Sequence, residues 1–142
     1  MTVRAILDLK GRDVVTIAPE KTLADAAELL SENRIGALVV VVGERVSGIL
    51  SERDIVRAVA KQGAAALELP VGQAMTREVI TCTEDDTCAE IMERMTARKF
   101  RHLPVLRENA LIGLISIGDV VKQRVEEIER ETEAMRDYIQ TA

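Results

Sequence analysis

Apolar and polar residues alternate along this chain in two matching series. Each series starts with a short β-branched run, continues with apolar residues at helical spacing, adds two apolar runs around a turn, and ends in an amphipathic helix. The runs that predict strands are Val14–Ile17, Leu38–Val42 and Val46–Leu50, then Val79–Cys82, a strand around Pro104, and Leu111–Ile115. Because proline cannot donate a ladder hydrogen bond, Pro104 favours an edge or strand-start position.

The two series are copies of each other, because residues 14–57 match residues 79–122 at a constant shift without a gap. Thr22 and Thr87 each have an acid three residues later, Asp25 and Glu90, which predicts two helix N-caps with capping boxes. An internal repeat decides the architecture before any single motif does. We therefore expect two units facing each other across a pseudo-two-fold axis, with two similar clefts.

Several segments lie outside the repeated core. Short amphipathic segments, Val3–Leu7 and Val71–Met75, precede the copies, and the first is followed by three more residues than the second. Lys61–Pro70 is predicted to be a linker. The predicted domains are residues 1–62 (first repeat with an N-terminal helix), 63–124 (second repeat) and 125–142 (a helical extension).

Composition excludes several classes of protein. The net charge is −5 with acids and bases interspersed, and aromatic residues make up 1% of the chain, so neither a basic patch nor a stacking platform for nucleic acid is present. The longest apolar run, Ile35–Val42, is far shorter than the roughly 20 residues of a membrane-spanning helix. Two cysteines and one histidine are too few for a metal site and favour a reducing, cytoplasmic setting.

The segment Gly-x-x-Ser-x-x-Asp occurs twice, at 48–54 and 113–119, where a strand ends and a helix begins. A helix N-terminus directs N–H groups at a phosphate, the serine adds a donor, and an aspartate one turn later can accept hydrogen bonds from a ribose diol. The alternative is that Ser51 and Ser116 only cap their helices while Asp54 and Asp119 favour the first turn. We favour the ligand interpretation.

Besides this doubled motif, each predicted second strand starts with a similar segment, Arg34–Val39 or Arg101–Val105. In these features, residues 3–124 resemble a tandem pair of CBS domains, which is called a Bateman module. The resemblance implies a mixed α/β (α+β) fold of two β-α-β-β-α repeats with an extra C-terminal helix. It also implies composite pockets, in which serine and aspartate of one repeat face the first strand and second-strand start of the other.

Carried over by position, the resemblance implies two pockets for an adenosine-containing ligand. One comprises Leu114, Ser116 and Asp119 with Val15, Ile35, Gly36 and Ala37; the other comprises Ile49, Ser51 and Asp54 with Ile80, Phe100 and Arg101. Backbone near Thr16 or Thr81 would read the adenine edge, and Arg101 and His102 resemble a phosphate-facing pair. Because Gly36 and Ala37 are small, we expect the Asp119 pocket to be the more competent one.

The favoured function is a regulatory sensor, not an enzyme, that binds AMP, ADP, ATP or NAD without a catalytic cofactor and acts in trans on an effector protein. The alternative is a ligand-independent homodimeric scaffold. Aliphatic positions on the helical faces predict a homodimer, with Ile55, Val56, Val120 and Val121 among them. A heptad spacing that fits either a dimer seam or a face packed on its own domain is followed by Val121, Val125, Ile128, Thr132, Met135 and Ile139.

Overall fold

The computed structural model describes residues 1–141, and their elements follow the predicted repeat. The helices are α1 (Val3–Lys10), α2 (Leu23–Asn33), α3 (Glu52–Gln62), a 3-10 helix (Gly63–Glu68), α4 (Val71–Ala74), α5 (Cys88–Arg98) and α6 (Ile117–Thr141). The strands are β1 (Thr16–Ile17), β2 (Ala37–Val42), β3 (Arg45–Ser51), β4 (His102–Arg107) and β5 (Ala110–Ser116). The mixed fold of tandem repeats is therefore confirmed.

The first repeat forms a three-stranded sheet in the order β1-β2-β3. Strand β1 is parallel to β2, with Thr16 opposite Val39, and β2 is antiparallel to β3, with Ala37 opposite Ser51. Strand β2 consists only of apolar residues, and Leu38, Val39 and Val40 are fully buried, as expected of a strand covered on both faces. The pairing of Ala37 with Ser51 fixes where α3 begins.

The second repeat differs at its first strand, because the predicted strand Val79–Cys82 does not form. Only Cys82 bridges to β4, donating its N–H to the carbonyl of Pro104 at 3.0 Å. In the first repeat Val39 N–H donates to the carbonyl of Val15 at 3.3 Å. Pro104 holds the matching position and has no N–H, so the equivalent bond is lost. The second sheet is the β4-β5 pair, in which Pro104 lies in an edge strand, as predicted.

Both predicted N-caps are confirmed, but only one of the two predicted capping boxes is complete. Asp25 N–H donates to Thr22 Oγ1 and Thr22 N–H donates to Asp25 Oδ2, both at 3.1 Å, which completes a capping box on α2. On α5, Glu90 N–H donates to Thr87 Oγ1 at 3.2 Å, and within the described residues the return bond to the Glu90 carboxylate is not formed.

The predicted linker Lys61–Pro70 is a packed segment. Helix α3 continues to Gln62 and ends at Gly63, whose φ of +67° favours glycine. The 3-10 helix follows, with Ala66 fully buried and its carbonyl accepting from Leu69 N–H at 3.0 Å. The two repeats are therefore joined by ordered structure.

Each short helix that precedes a repeat packs on the core of the other repeat. Val3, Ile6 and Leu7 of α1 are buried with Leu103 of the second repeat, and α4 is buried in the first. Main-chain hydrogen bonds fix this arrangement, such as Val3 N–H to the carbonyl of Asp86 at 2.9 Å. Helix α1 therefore precedes the first repeat in sequence, while its apolar face is covered by the second repeat. The domain boundaries themselves stay a prediction, and Ala142 of the predicted extension lies outside the described residues.

Helix α6 continues past the repeat as a single helix to Thr141. One predicted surface residue is wrong: Val120 is fully buried in the second core, while Ile55 packs partly on the first core. Other predicted surface residues are exposed; they are Val56, Val121, Val125, Ile128, Met135 and Ile139. Met135 and Ile139, near the end of α6, are 60% and 66% exposed and are therefore largely uncovered by their own domain.

Candidate ligand-binding site

Both copies of the motif place serine and aspartate at the start of a helix, where the two side chains form a capping box. In α3, Asp54 N–H donates to Ser51 Oγ at 3.3 Å, and Ser51 N–H donates to Asp54 Oδ2 at 2.9 Å. Ser116 and Asp119 make the same pair of bonds at the start of α6, at 3.2 and 2.9 Å. The geometry expected of the capping alternative is thus present in both copies. It also explains why an acid stands at the third helical position, because its carboxylate accepts the N–H of the N-cap serine.

The motif glycines permit the close approach of the helices that precede the repeats. A Cβ atom on Gly48 would lie 2.7 Å from Met75 Sδ and 2.8 Å from the carbonyl of Thr76. At Gly113 a Cβ atom would lie 2.8 Å from Leu7 Cδ2. This approach brings the residues that follow α4, and the end of α1, to the two motif acids.

A cavity of about 300 Å³ lies at the start of α3 and is lined by residues of both repeats. This volume is at the lower end of the range for small-molecule sites, about 300–1,000 Å³. The predicted site residues that line it are Gly36, Ile49, Ser51, Asp54, Phe100, Arg101 and His102. Gly36 had been predicted for the other pocket, but it lies here beside His102, whose Nε2 would be 3.6 Å from a Cβ atom on Gly36.

Asp54 is buried and makes all its polar contacts within the chain. Its Oδ2 accepts from Ser51, and its Oδ1 accepts from Thr76 Oγ1 at 3.3 Å. Arg57 Nη1 lies 3.5 Å from the same Oδ1. A ribose diol that binds this carboxylate must therefore replace the Thr76 hydroxyl or the Arg57 guanidinium, both of which lie on the cavity wall.

The wall of the cavity carries cations without a carboxylate partner. Arg53, Lys99 and Arg101 line it, and within residues 1–141 none of them has a carboxylate oxygen within 4.0 Å. Arg57 balances the charge of Asp54, and the acids Glu52 and Glu78 also line the cavity. The three remaining cations outnumber these two acids, so the wall has a small excess of positive charge. Such a surface favours an anionic group over a neutral one.

His102 lies half-buried between this cavity and the start of α6. Burial and the nearby Lys10 ammonium lower the pKa of His102 below its usual 6.5, and Asp119 and Glu52 oppose this effect only in part. The imidazole is therefore neutral at pH 7 and can offer one N–H donor to a ligand.

Lys10 lies at the predicted pocket around Asp119, and the expectation that this pocket is the more competent one stays a prediction. Lys10 Nζ donates to Asp119 Oδ2 at 2.7 Å and to the carbonyl of Leu114 at 2.9 Å. Burial acts to raise the pKa of Asp119, but the hydrogen bonds from Lys10 and from Ser116 N–H lower it overall.

The structure does not bring the remaining predicted residues into the Ser51 cavity. Val15 and Ile35 pack against the first core, Ala37 is buried opposite Ser51, and Thr16 is exposed in β1. Ile80 packs against the second core, and Thr81 is half-buried beside it. Neither residue is part of the cavity wall.

Sequence reasoning missed four lining residues, Glu52, Thr76, Glu78 and Lys99. Glu52 and Lys99 flank predicted residues, and that adjacency was the available signal. Thr76 and Glu78 lie where the two copies differ in length, so the repeat does not align them.

Within the described part of the chain, no group of three His, Cys, Asp or Glu side chains is arranged to hold a metal ion. None of its helices is both long and apolar enough to cross a membrane. Burial raises the pKa of the Cys82 thiol to about 12 and also raises that of Cys88, so both thiols stay protonated near pH 7.

Comparison with known proteins gives consistent matches along most of the chain. The CBS domain family model matches twice, at residues 6–61 and 71–126. A CBS-domain protein of Agrobacterium tumefaciens is 49% identical, with a TM-score of 0.85 over 87% of this chain and 99% of that one. A mitochondrial CBS domain-containing protein of Arabidopsis thaliana is 34% identical over 98% of this chain and 72% of its own length.

A more distant structure shares the fold alone. It is a CBS domain pair in complex with 5′-methylthioadenosine and S-adenosyl-L-methionine, 22% identical with a TM-score of 0.80 over 89% of this chain and 98% of that one. The doubled motif, the paired capping boxes and the two family matches agree, and this chain belongs to the CBS-domain family as a tandem pair of CBS domains.

Proposed function

We propose that this chain is a regulatory module that binds an adenosine-containing ligand in the cavity at Ser51 and Asp54 and acts in trans on a partner protein. The observation that carries the proposal is that cavity, in which a helix start of one repeat meets Arg101 and His102 of the other. A ligand seated there contacts both repeats, so it can favour one relative arrangement of them over another.

The charge of the wall supports a phosphorylated ligand. Arg53, Lys99 and Arg101 are without carboxylate partners among residues 1–141, and a phosphate would supply the missing anion. The start of α3 adds its N-terminal N–H groups, of which the Glu52 N–H is already used by the carbonyl of Gly36 at 3.0 Å.

Apolar side chains at the cavity support a nucleoside base. Phe100 and Ile49 line the cavity, and Phe100 also packs against the core of the second repeat. The related CBS pair that binds 5′-methylthioadenosine and S-adenosyl-L-methionine supports adenosine as the shared group. A volume of about 300 Å³ favours a mononucleotide (AMP, ADP or ATP) over NAD.

We propose regulation and not catalysis, with no catalytic cofactor. Ser51 Oγ hydrogen bonds to Asp54, at 3.2 Å, and His102 carries a lowered pKa without a nucleophile beside it among the hydrogen-bonded groups described. The two buried, protonated thiols fit a reducing compartment, for which we propose the cytoplasm.

The capping boxes favour a second candidate, a homodimeric scaffold without a ligand. Both motif acids already have intrachain donors, so the motif does not require a ligand to be satisfied. Titration of the purified protein with AMP separates the two candidates, because the scaffold gives no binding heat and no rise in melting temperature.

Arg101→Ala should weaken AMP binding while leaving adenosine binding nearly unchanged, if Arg101 holds the phosphate. Loss of one charge-assisted hydrogen-bonded partner costs about 1.5–3 kcal/mol, which is on the order of a tenfold to hundredfold loss of affinity. Isothermal titration calorimetry with AMP and with adenosine measures the difference.

The matched control for this titration is Arg45→Ala, because Arg45 is exposed at the start of β3, away from the cavity. Its affinity for both ligands should equal that of the unchanged protein. Equal losses for AMP and adenosine in Arg101→Ala would instead make Arg101 a structural residue and contradict the phosphate assignment.

We also propose that the chain is a homodimer joined through helical faces, with α6 extending the contact. Val56 on α3 and the heptad residues of α6 are exposed apolar side chains that a second copy would cover. The charged flanks of α6 are those expected of helices that pair along such a seam.

The double substitution Met135→Gln/Ile139→Gln should weaken the dimer by about tenfold or more, because burying one such side chain contributes about 1.5–3 kcal/mol. Both residues are more than half exposed in the single chain. Light scattering across a dilution series measures the dissociation. The control is Glu133→Gln/Asp137→Asn, which changes two exposed residues on the outer face of α6. An equal effect of both pairs would place the seam elsewhere. An unchanged protein that is monomeric at micromolar concentration would remove the dimer proposal.

A further inference from the structure

We propose that Lys10 fills the second nucleoside site from within the chain, so that each chain offers one open site, at Ser51 and Asp54, and a second that opens only when the Lys10 side chain is withdrawn. The inference rests on the proposed function, because it concerns where the same ligand class can bind. Lys10 thereby determines how many ligands one chain takes.

The contacts of Lys10 are those a ligand would need. Its Nζ lies 2.7 Å from Asp119 Oδ2 and 2.9 Å from the carbonyl oxygen of Leu114. Asp119 is the second copy of the acid that a ribose diol would bind, and Leu114 belongs to the strand that ends at Ser116. A ribose that binds Asp119 through Oδ2 must therefore displace the Lys10 ammonium, and one that binds through Oδ1 must share the carboxylate with it.

The first copy shows the same position without a lysine. There the residue after α4, Thr76, reaches Asp54 with its hydroxyl at 3.3 Å. Arg57 Nη1 also lies 3.5 Å from Asp54 Oδ1, but its side chain is 69% exposed and farther from its acid than Lys10 Nζ, which lies 2.7 Å from Asp119 Oδ2. The cation at the first acid is therefore held more loosely, and a cavity lies beside it. The two acids are thus equivalent in sequence but hold different intrachain partners.

The difference originates in the length of the two preceding helices. Helix α1 has eight residues and α4 has four. The extra turn of α1 ends at Lys10, and the chain reverses at Gly11, whose φ is +101°. The three residues that the first copy has in excess therefore carry a lysine to Asp119.

The helix backbone does not need to move for the site to open. Val3, Ile6 and Leu7 anchor α1 in the second core, whereas Lys10 is 37% exposed and contributes only its side chain to the contact. Rotation of that side chain frees Asp119 while α1 stays docked. Truncating Lys10 should likewise open the site without unfolding the helix, and alanine favours the helical conformation.

Calorimetric titration with AMP tests the inference through the number of sites. The unchanged protein should bind one AMP per chain, and Lys10→Ala should bind two. Lys61→Ala, which removes an exposed lysine at the end of α3, should keep one site. Adding Asp119→Asn to Lys10→Ala should abolish the second site and leave the first.

The outcomes separate this inference from the function on which it rests. No AMP binding by either protein would contradict the proposed function. One site in both proteins, or two sites already in the unchanged protein, would overturn the role of Lys10 and leave the proposed function standing. Thermal melting confirms that Lys10→Ala is folded, and Lys10→Ser gives the same test if it is not.

Discussion

Asp54→Asn is expected to weaken AMP binding by about tenfold to a hundredfold, whereas Asp119→Asn should change the affinity less than twofold, a rough bound. The reason is that Asp54 lies on the open cavity, while Asp119 is held by Lys10 at 2.7 Å. Removing the charge from one hydrogen-bonded acceptor costs about 1.5–3 kcal/mol. Asparagine keeps an oxygen that can accept the Ser51 N–H, so the cap on α3 is retained.

Calorimetry on both variants, with AMP as the titrant, measures this order. It is the reverse of the order that residue size at Gly36 and Ala37 predicts from the sequence. Equal losses at the two acids would show that Lys10 does not close the Asp119 site. Unchanged affinity at Asp54 would leave the capping role as the only role of the motif acid. Melting temperatures of the two variants serve as the control for folding, because Asp54 is buried.

Leu7→Ala is expected to lower the free energy of unfolding by about 2–5 kcal/mol, the cost of truncating a fully buried leucine. Leu7 is fully buried in the core of the second repeat and lies against Gly113, although it belongs in sequence to the segment before the first repeat. The loss should therefore appear as destabilisation of the second repeat, even though the substitution lies in the first 10 residues of the chain.

Urea unfolding monitored by circular dichroism measures the change, and Leu9→Ala is the matched control. Leu9 lies on the same helix but is 68% exposed, so its truncation should change stability by less than about 0.5 kcal/mol. If the two variants were equally stable, α1 would not be docked on the second core. The positioning of Lys10 would then lack its support as well.

Local patterns predicted the elements with good accuracy because local physics forms them. Thr22 begins α2 because its hydroxyl and Asp25 satisfy backbone donors within one turn. The strand Leu38–Val42 forms, beginning one residue earlier at Ala37, because an uninterrupted apolar run fits a strand covered on both faces. The failure at Val79–Cys82 involves Pro104, which is more than 20 residues away in sequence. The missing N–H of proline is evident from the sequence, but the segment that it would have bonded is not.

The candidate site was predicted in part. Ser51, Asp54, Phe100 and Arg101 meet in one cavity because the doubled motif specifies the starts of two helices and the resemblance specifies which repeat faces them. Thr76 was missed because its contact with Asp54 depends on the close approach of α4 to Gly48. That approach depends on tertiary packing, and no periodic pattern in the sequence predicts it.

The sequence by itself determined the repeat, the family, the order of the elements and the chemistry carried by each motif residue, since these follow from spacing and from bonds within a few residues. Only the tertiary structure decided which intrachain partner each of the two equivalent acids has. Lys10 and Asp119 are 109 residues apart, and they meet because α1 crosses to the core of the other repeat. Both preceding helices present a similar apolar face, so the hydrophobic pattern cannot assign either one to its core. The physical reason is that the apolar face of either helix could be buried against the core of either repeat. Only the fit between particular side chains, such as Leu7 against Gly113, selects one core over the other.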